Sequence, residues 1–312
     1  MEGSRAKDFG KELGMIHEGI ITLRNLGLSA EGWQKMTCDK NLARKVIELV
    51  EGQKELWLEE ILAREQACHL AFFGQEFDLT DFADTLKKYG ELKIKFWQKF
   101  EMEPAFLPEV AMPQDANFRG WKIKPKSWLW QKVAEGKVFR DIHDVDGKVA
   151  AVKEVKLDGI TVLIDTRLKP KYDAGKQMYK NDNLLGPIIE DLRRAGKITK
   201  YKYGPQSSRF GVSADEWEEH IKPALAEKLG LEISQLRLER AIEVDVIPQL
   251  YPYMPRKDDG NSNTWVWYGE YFEDRGHLFS SDDFFYSSLG LLYYDLLGFR
   301  QSYKSVRPLA VL

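Results

Sequence analysis

Apolar residues recur at helical spacing through the first hundred positions. Residues 41–50 (NLARKVIELV) put Leu42, Val46, Leu49 and Val50 on one stripe, with Gly52 as the stop. Residues 54–73 place Leu56, Ile61, Leu62 and Leu70 at helical spacings ahead of Gly74. Asp78 or Thr80 can cap a third helix that runs through Leu86 to Gly90. These patterns predict a small α-helical region over residues 1–100 that carries no recognisable chemistry. From residue 101 the periodicity stops. Pro104, Pro108, Pro113 and Pro125 each lack an amide donor. Residues 101–126 therefore read as a Pro-rich linker or extended wrap between domains, with a buried extended arm as the alternative.

The pattern then shortens to strand length. Asp146–Gly147 and Asp158–Gly159 flank KVAAVKEVKL, and ITVLI follows at 160–164. Asp-Gly suits tight hairpin turns, so a three-stranded antiparallel meander is expected. Residues 183–196 read as a helix. Ser213 and Glu216 have capping-box spacing, opening a helix through Trp217, Ile221, Leu225 and Leu229 that stops at Gly230. A further helix is expected over about 234–247, and TWVWYGEYF (264–272) reads as a strand. Strands and helices do not alternate as a parallel doubly wound sheet requires, so the class is α+β.

Composition adds exclusions. The chain has 312 residues, is 43% hydrophobic, 12% aromatic and 30% charged, and carries a formal charge of −3. That is too apolar for a disordered chain and too balanced to imply a nucleic-acid partner. Cys38 and Cys68 cannot build a disulfide framework. Neither a signal peptide nor a membrane-spanning run is present, so a soluble protein of the reducing cytoplasm is expected, without a membrane partner.

The usual nucleotide, hydrolase and zinc motifs are missing. Cys68–His69 reads as a buried thiol beside an exposed imidazole. His143, Asp144 and Asp146 read as turn residues, with acid–base work as the lesser alternative. Asp258, Asp259, Asn261 and Asn263 offer oxygen ligands to calcium but lack EF-hand spacing. Trp121, Trp128 and Trp130, in a basic-aromatic stretch that superficially resembles an RNA-contacting stripe, read as core packing at a domain seam. No catalytic residue, metal ligand or cofactor site is expected.

Residues 276–300, GHLFSSDDFFYSSLGLLYYDLLGFR, fit neither helical nor strand periodicity and omit Lys, Glu, Gln, Met and Trp. Codons that end in a pyrimidine encode the residues present and never those five. Randomised Asn codons would leave this footprint. The ending GFRQSYKSVRPLAVL is similar to the FRPLAVL-type ending of variable proteins from diversity-generating retroelements, with Val306 at the Phe position. The stretch from Ser208 to Glu243 and NTWVWYGEYF also resemble a subgroup of that family. The resemblance covers about 183–312.

It implies a C-type lectin-like domain over 127–312, related to formylglycine-generating enzymes, with a variable segment at about 279–305. It also implies a non-enzymatic binding function. The expected ligand-binding residues are Asp282, Asp283, Phe284, Phe285, Tyr286, Tyr293, Tyr294, Asp295, Leu297, Phe299, Arg300, Ser302 and Tyr303. Tyr with Ser, Gly and Asp is the chemistry of antibody loops, which favours a protein ligand. Leu289, Leu292, Val306, Leu309 and Val311 are expected to anchor the closing strand. An adhesin or lectin of the same fold is the alternative. Formylglycine-type catalysis needs a C-terminal cysteine pair, and no Cys follows Cys68.

Overall fold

A computed structural model describes residues 21, 24, 27–39, 56–122, 124–141, 149–167, 179, 182–251, 265–272, 277–281, 292–296, 298 and 300–312. The chain divides into two compact units, Met1–Glu59 and Glu60–Leu312. The first contains α1 (Ala30–Cys38), whose N-terminus is capped by Ser29 Oγ accepting from the Gly32 amide at 3.0 Å. The helix expected over 41–50 lies outside the described residues.

Next in chain order come α2 (Leu56–Phe73), which begins ahead of the boundary, α3 (Thr80–Tyr89), α4 (Glu91–Gln98), β1 (Met102–Ala111) and α5 (Trp128–Ala134). They are followed by β2 (Val138–Asp141), β3 (Val149–Ala151), β4 (Lys156–Asp165) and α6 (Leu185–Arg194). A continuous helical run then joins α7 (Ala214–Glu216), a π turn at Trp217–Ile221 and α8 (Lys222–Leu229). After these lie β5 (Leu236–Leu238), α9 (Ala241–Leu250), β6 (Trp265–Phe272), β7 (His277–Ser281), β8 (Leu292–Leu296), β9 (Lys304–Ser305) and β10 (Pro308–Val311). The architecture is mixed α and β with two sheets. One is antiparallel, in the order β1-β4-β10-β5. The other runs β3-β2-β6-β7-β8, with β9 parallel to β6. Their shared core joins Leu107, Val162, Ile164 and Leu309 of the first sheet to Val138, Val266, Tyr268 and Phe272 of the second.

The stretch expected to link domains supplies β1, paired with β4 along nearly its whole length, so the extended-arm alternative describes these residues. Its prolines fit because β1 is an edge strand. The Phe106 amide points away from β4, donating to Glu65 Oε2 at 3.0 Å. Amide direction alternates along a strand, so Pro104 and Pro108 face outward too, where no ladder bond is lost. Side chains of α2 cover that edge. Arg64 Nη2 donates to the Pro104 carbonyl at 2.6 Å, and His69 Nε2 lies 2.9 Å from the Phe106 carbonyl. The Tyr251 hydroxyl donates to Glu65 Oε2 at 2.6 Å. His69 is thus buried, against the expectation of exposure, because it caps a strand edge. Burial pushes the Glu65 carboxyl up and the His69 imidazole down.

The expected meander is divided between sheets. β2 and β3 pair as a hairpin, while β4 joins the other sheet. Asp158–Gly159 is no turn: both residues lie within β4, where Gly159 takes φ 68°. The helix expected over 234–247 separates into a 3-10 turn at Ile233–Gln235, β5 and α9. Leu236 and Leu238 are buried and Arg237 between them is not, a period of two that the longer helical pattern concealed.

Other local rules operate as expected. Glu216 N donates to Ser213 Oγ at 3.2 Å, and Ser213 N donates back to Glu216 Oε2 at 3.0 Å. Gly230 adopts φ 61° at the end of α8. Trp97 Nε1 and Lys93 Nζ both donate to the Leu229 carbonyl at that terminus, at 2.9 and 2.7 Å. The three tryptophans are core packing within the second unit. Trp121 Nε1 donates to Asp245 Oδ2 at 2.6 Å, Trp130 Nε1 donates to the Met112 carbonyl, and Trp128 stacks on Phe272. Among the described residues no helix is long and apolar enough to cross a membrane.

Candidate functional site

The 279–305 segment starts in β7 and passes through β8. Tyr293 pairs with Ser280, Tyr294 with Phe279 and Asp295 with Leu278. Among the described residues β8 pairs only with β7 and lies at one end of its sheet. Residues 282–291 connect the two strands. Asp282, Asp283, Phe284, Phe285, Tyr286, Leu289, Leu297 and Phe299 lie outside the described residues, as do the side chains of Leu292, Tyr293, Tyr294 and Asp295. The same holds for His143, Asp144, Asp146 and the candidate calcium loop at 258–263.

Arg300, Ser302 and Tyr303 are described. Burial rises sharply along this stretch: Arg300 is exposed, residues 301–303 are half-buried, and 304–310 are buried throughout. Arg300 Nη2 lies 3.0 Å from Glu216 Oε1. The same Glu216 oxygen accepts from the Thr199 amide at 2.7 Å. The capping carboxylate of α7 therefore also holds the end of the segment. Burial would raise the Glu216 carboxyl, but Arg300 and the Ser213 and Thr199 amides outweigh it and lower it. The Tyr201 hydroxyl donates to the Ser302 carbonyl at 2.9 Å.

Beyond Tyr303 the chain is fixed by buried polar groups. Lys304 Nζ sits 4.2 Å from the centre of the Trp267 ring, whose Nε1 donates to the Val212 carbonyl. The Tyr179 hydroxyl and Ser305 Oγ are 3.0 Å apart. Arg307 donates to the carbonyls of Arg167 and Asp165. Asp165 in turn holds Arg167 and Arg209, and Arg209 also reaches Asp182. Burial alone would raise the Asp165 carboxyl. The guanidiniums of Arg209, Arg307 and Arg167 outweigh it and hold that carboxyl far below the usual range. Arg193 secures the neighbouring loop by donating to the carbonyls of Thr199, Gln206, Ser208 and Phe210. These buried groups fix the chain that follows the segment.

A second feature escaped the sequence reading. A cleft of about 530 Å³ opens between the two sheets and the α7–α8 run, with Arg140, Asp158, Arg237 and Arg240 on its walls. These residues come from β2, β4, β5 and the start of α9, so no local spacing announces them. The one available signal was Asp158, which the Asp-Gly turn rule explained away. Where the sheets meet, the Gly269 amide donates to the Glu239 carbonyl at 2.9 Å. A side chain at 269 would lie 2.7 Å from the Leu238 carbonyl oxygen, so only glycine permits this approach.

Among the described residues no group of three or more His, Cys, Asp or Glu is placed to hold a metal ion. No protein-family model matches the chain, and no significant match was found among curated proteins or solved structures.

Proposed function

We propose that the chain is a non-enzymatic binding protein that displays its 279–305 segment on a C-type lectin-like scaffold as the target of a diversity-generating retroelement. The observation that carries this reading is the composition of residues 276–300, which lack Lys, Glu, Gln, Met and Trp, next to the VRPLAVL ending. The position of β8 at one end of its sheet and the rise in burial after Tyr303 support it. A displayed segment needs variable positions at a margin and constant positions in the core. The ligand is a protein, engaged by aromatic anchors with small polar neighbours.

The test has two parts. DNA beside the gene should hold a reverse-transcriptase gene and a near-copy of the 3′ end that differs only at adenines. Substituting Tyr293, Tyr294 and Phe299 together with Ser should leave the thermal unfolding midpoint close to that of the parent. Loss of cooperative unfolding in this variant would make the segment core rather than display, and absence of both DNA elements would remove the retroelement.

A further inference from the structure

We propose that the cleft between the two sheets binds a small organic carboxylate with an apolar body. None of the described lining residues belongs to the 279–305 segment, and the proposal does not depend on that segment's role. A volume of about 530 Å³ suits a ligand of small-metabolite size.

The charges on its walls are unequally matched. Arg237 is satisfied, with Nη1 and Nη2 each 2.6 Å from a Glu243 carboxylate oxygen and Nη1 also donating to the Leu238 carbonyl. Lys222 Nζ is held by Glu218 at 2.7 Å. Arg140 and Arg240, by contrast, share one carboxylate. Arg140 Nη1 reaches both oxygens of Asp158, at 3.1 and 2.9 Å, and Arg240 Nη1 reaches Oδ2. Arg240 also faces the carboxylates of Glu243 and Glu270, whereas Arg140 has Asp158 as its acidic partner among the described residues. Arg140 Nε and Nη2 have no acceptor among the described residues, and the side chain keeps 30% of its surface exposed. A planar fork with two unused donors is the group that grips a carboxylate through paired hydrogen bonds.

The remaining walls set the rest of the ligand. Ile160, Val311 and Leu312 line the same cleft, each half-buried, and offer apolar contact to a hydrocarbon or ring. Asp215, also on the wall, opposes a second negative charge. A monoanion with an apolar body therefore fits better than a phosphate dianion or a polyanion.

Titration calorimetry on the full chain would test this, with phenylacetate, 3-phenylpropionate and isocaproate as probes and their neutral amides and inorganic phosphate as controls. At least one carboxylate should bind, and its amide should bind roughly tenfold more weakly or worse. Arg140→Gln should weaken that carboxylate by about tenfold or more while the unfolding midpoint stays in place, since Arg240 continues to neutralise Asp158. Arg140→Lys, which keeps the charge but loses the fork, should fall between the two. The proposal is overturned if no carboxylate binds, if amide and acid bind alike, if phosphate binds more tightly than every carboxylate, or if Arg140→Gln leaves the affinity unchanged.

Discussion

Glu270 offers the sharpest test of the energetics. It lies in β6, is buried, and accepts from the Ala241 amide at the start of α9 through Oε2 at 2.7 Å. Burial is the largest influence on its carboxyl. The Ala241 amide and Arg240 oppose it without prevailing, and the group is pushed up from 4.5 to about 7. The folded state therefore holds a proton that the unfolded chain has already released across that interval. Stability from this group is fully present below about pH 4.5 and is lost as pH rises through 7. At about 1.4 kcal/mol per tenfold, the loss amounts to roughly 3 kcal/mol by pH 8.

Glu270→Gln keeps the oxygen that serves Ala241 and removes the charge. Urea unfolding of both proteins at about pH 4 and pH 8 isolates the effect, because every other carboxylate titrates in both. The two proteins should be nearly equal in stability in acid, with the variant ahead by about 3 kcal/mol in base. For a unit of this size that is a midpoint difference of about 6–12 °C. A stability difference that does not change with pH would refute the reasoning, since it would mean that Glu270 keeps the same charge in both folded and unfolded chains.

Two further substitutions probe the scaffold. Arg209→Met strips the buried Asp165 and Asp182 of the nearer of the two guanidiniums they share and should cost about 3–5 kcal/mol in chemical unfolding. The stability that Asp165 contributes is present above its unfolded value of 3.8 and lost as pH falls, so the penalty should shrink in acid. Gly269→Ala pushes a methyl against the Leu238 carbonyl and should destabilise by about 1–3 kcal/mol in the same assay. An unchanged midpoint would mean that the sheets are not closely joined at this point.

What the sequence made legible follows the range of the forces involved. The Ser213–Glu216 box, the Gly90 and Gly230 stops, α6 and β6 depend on neighbours within a few residues, and all were readable. β1 was not, because Pro104 and Pro108 are tolerated only through their parity against a partner some fifty to sixty residues away, as in the pairing of Pro104 with Leu163. Asp158–Gly159 misled for a related reason. Its local chemistry says turn, while Arg140 and Arg240, from other elements, recruit Asp158 as a shared counter-ion. The cleft was invisible for the same cause. The unusual composition of 276–300 was plain in sequence, whereas the anchoring of 304–310 depends on Asp165, Arg209 and Tyr179, which no spacing relates to it.

The placement of β10 has a consequence for how errors in this chain are filtered. That strand lies between β4 and β5, and Leu309 pairs with Ile164 on one side and Arg237 on the other. The polypeptide must therefore be read through all of 279–305 before the middle of a sheet can be filled. A premature stop there removes an interior strand and leaves β4 and β5 without their common neighbour, which invites unfolding and proteolysis. The fold thus discards shortened messages, a quality check set by topology alone.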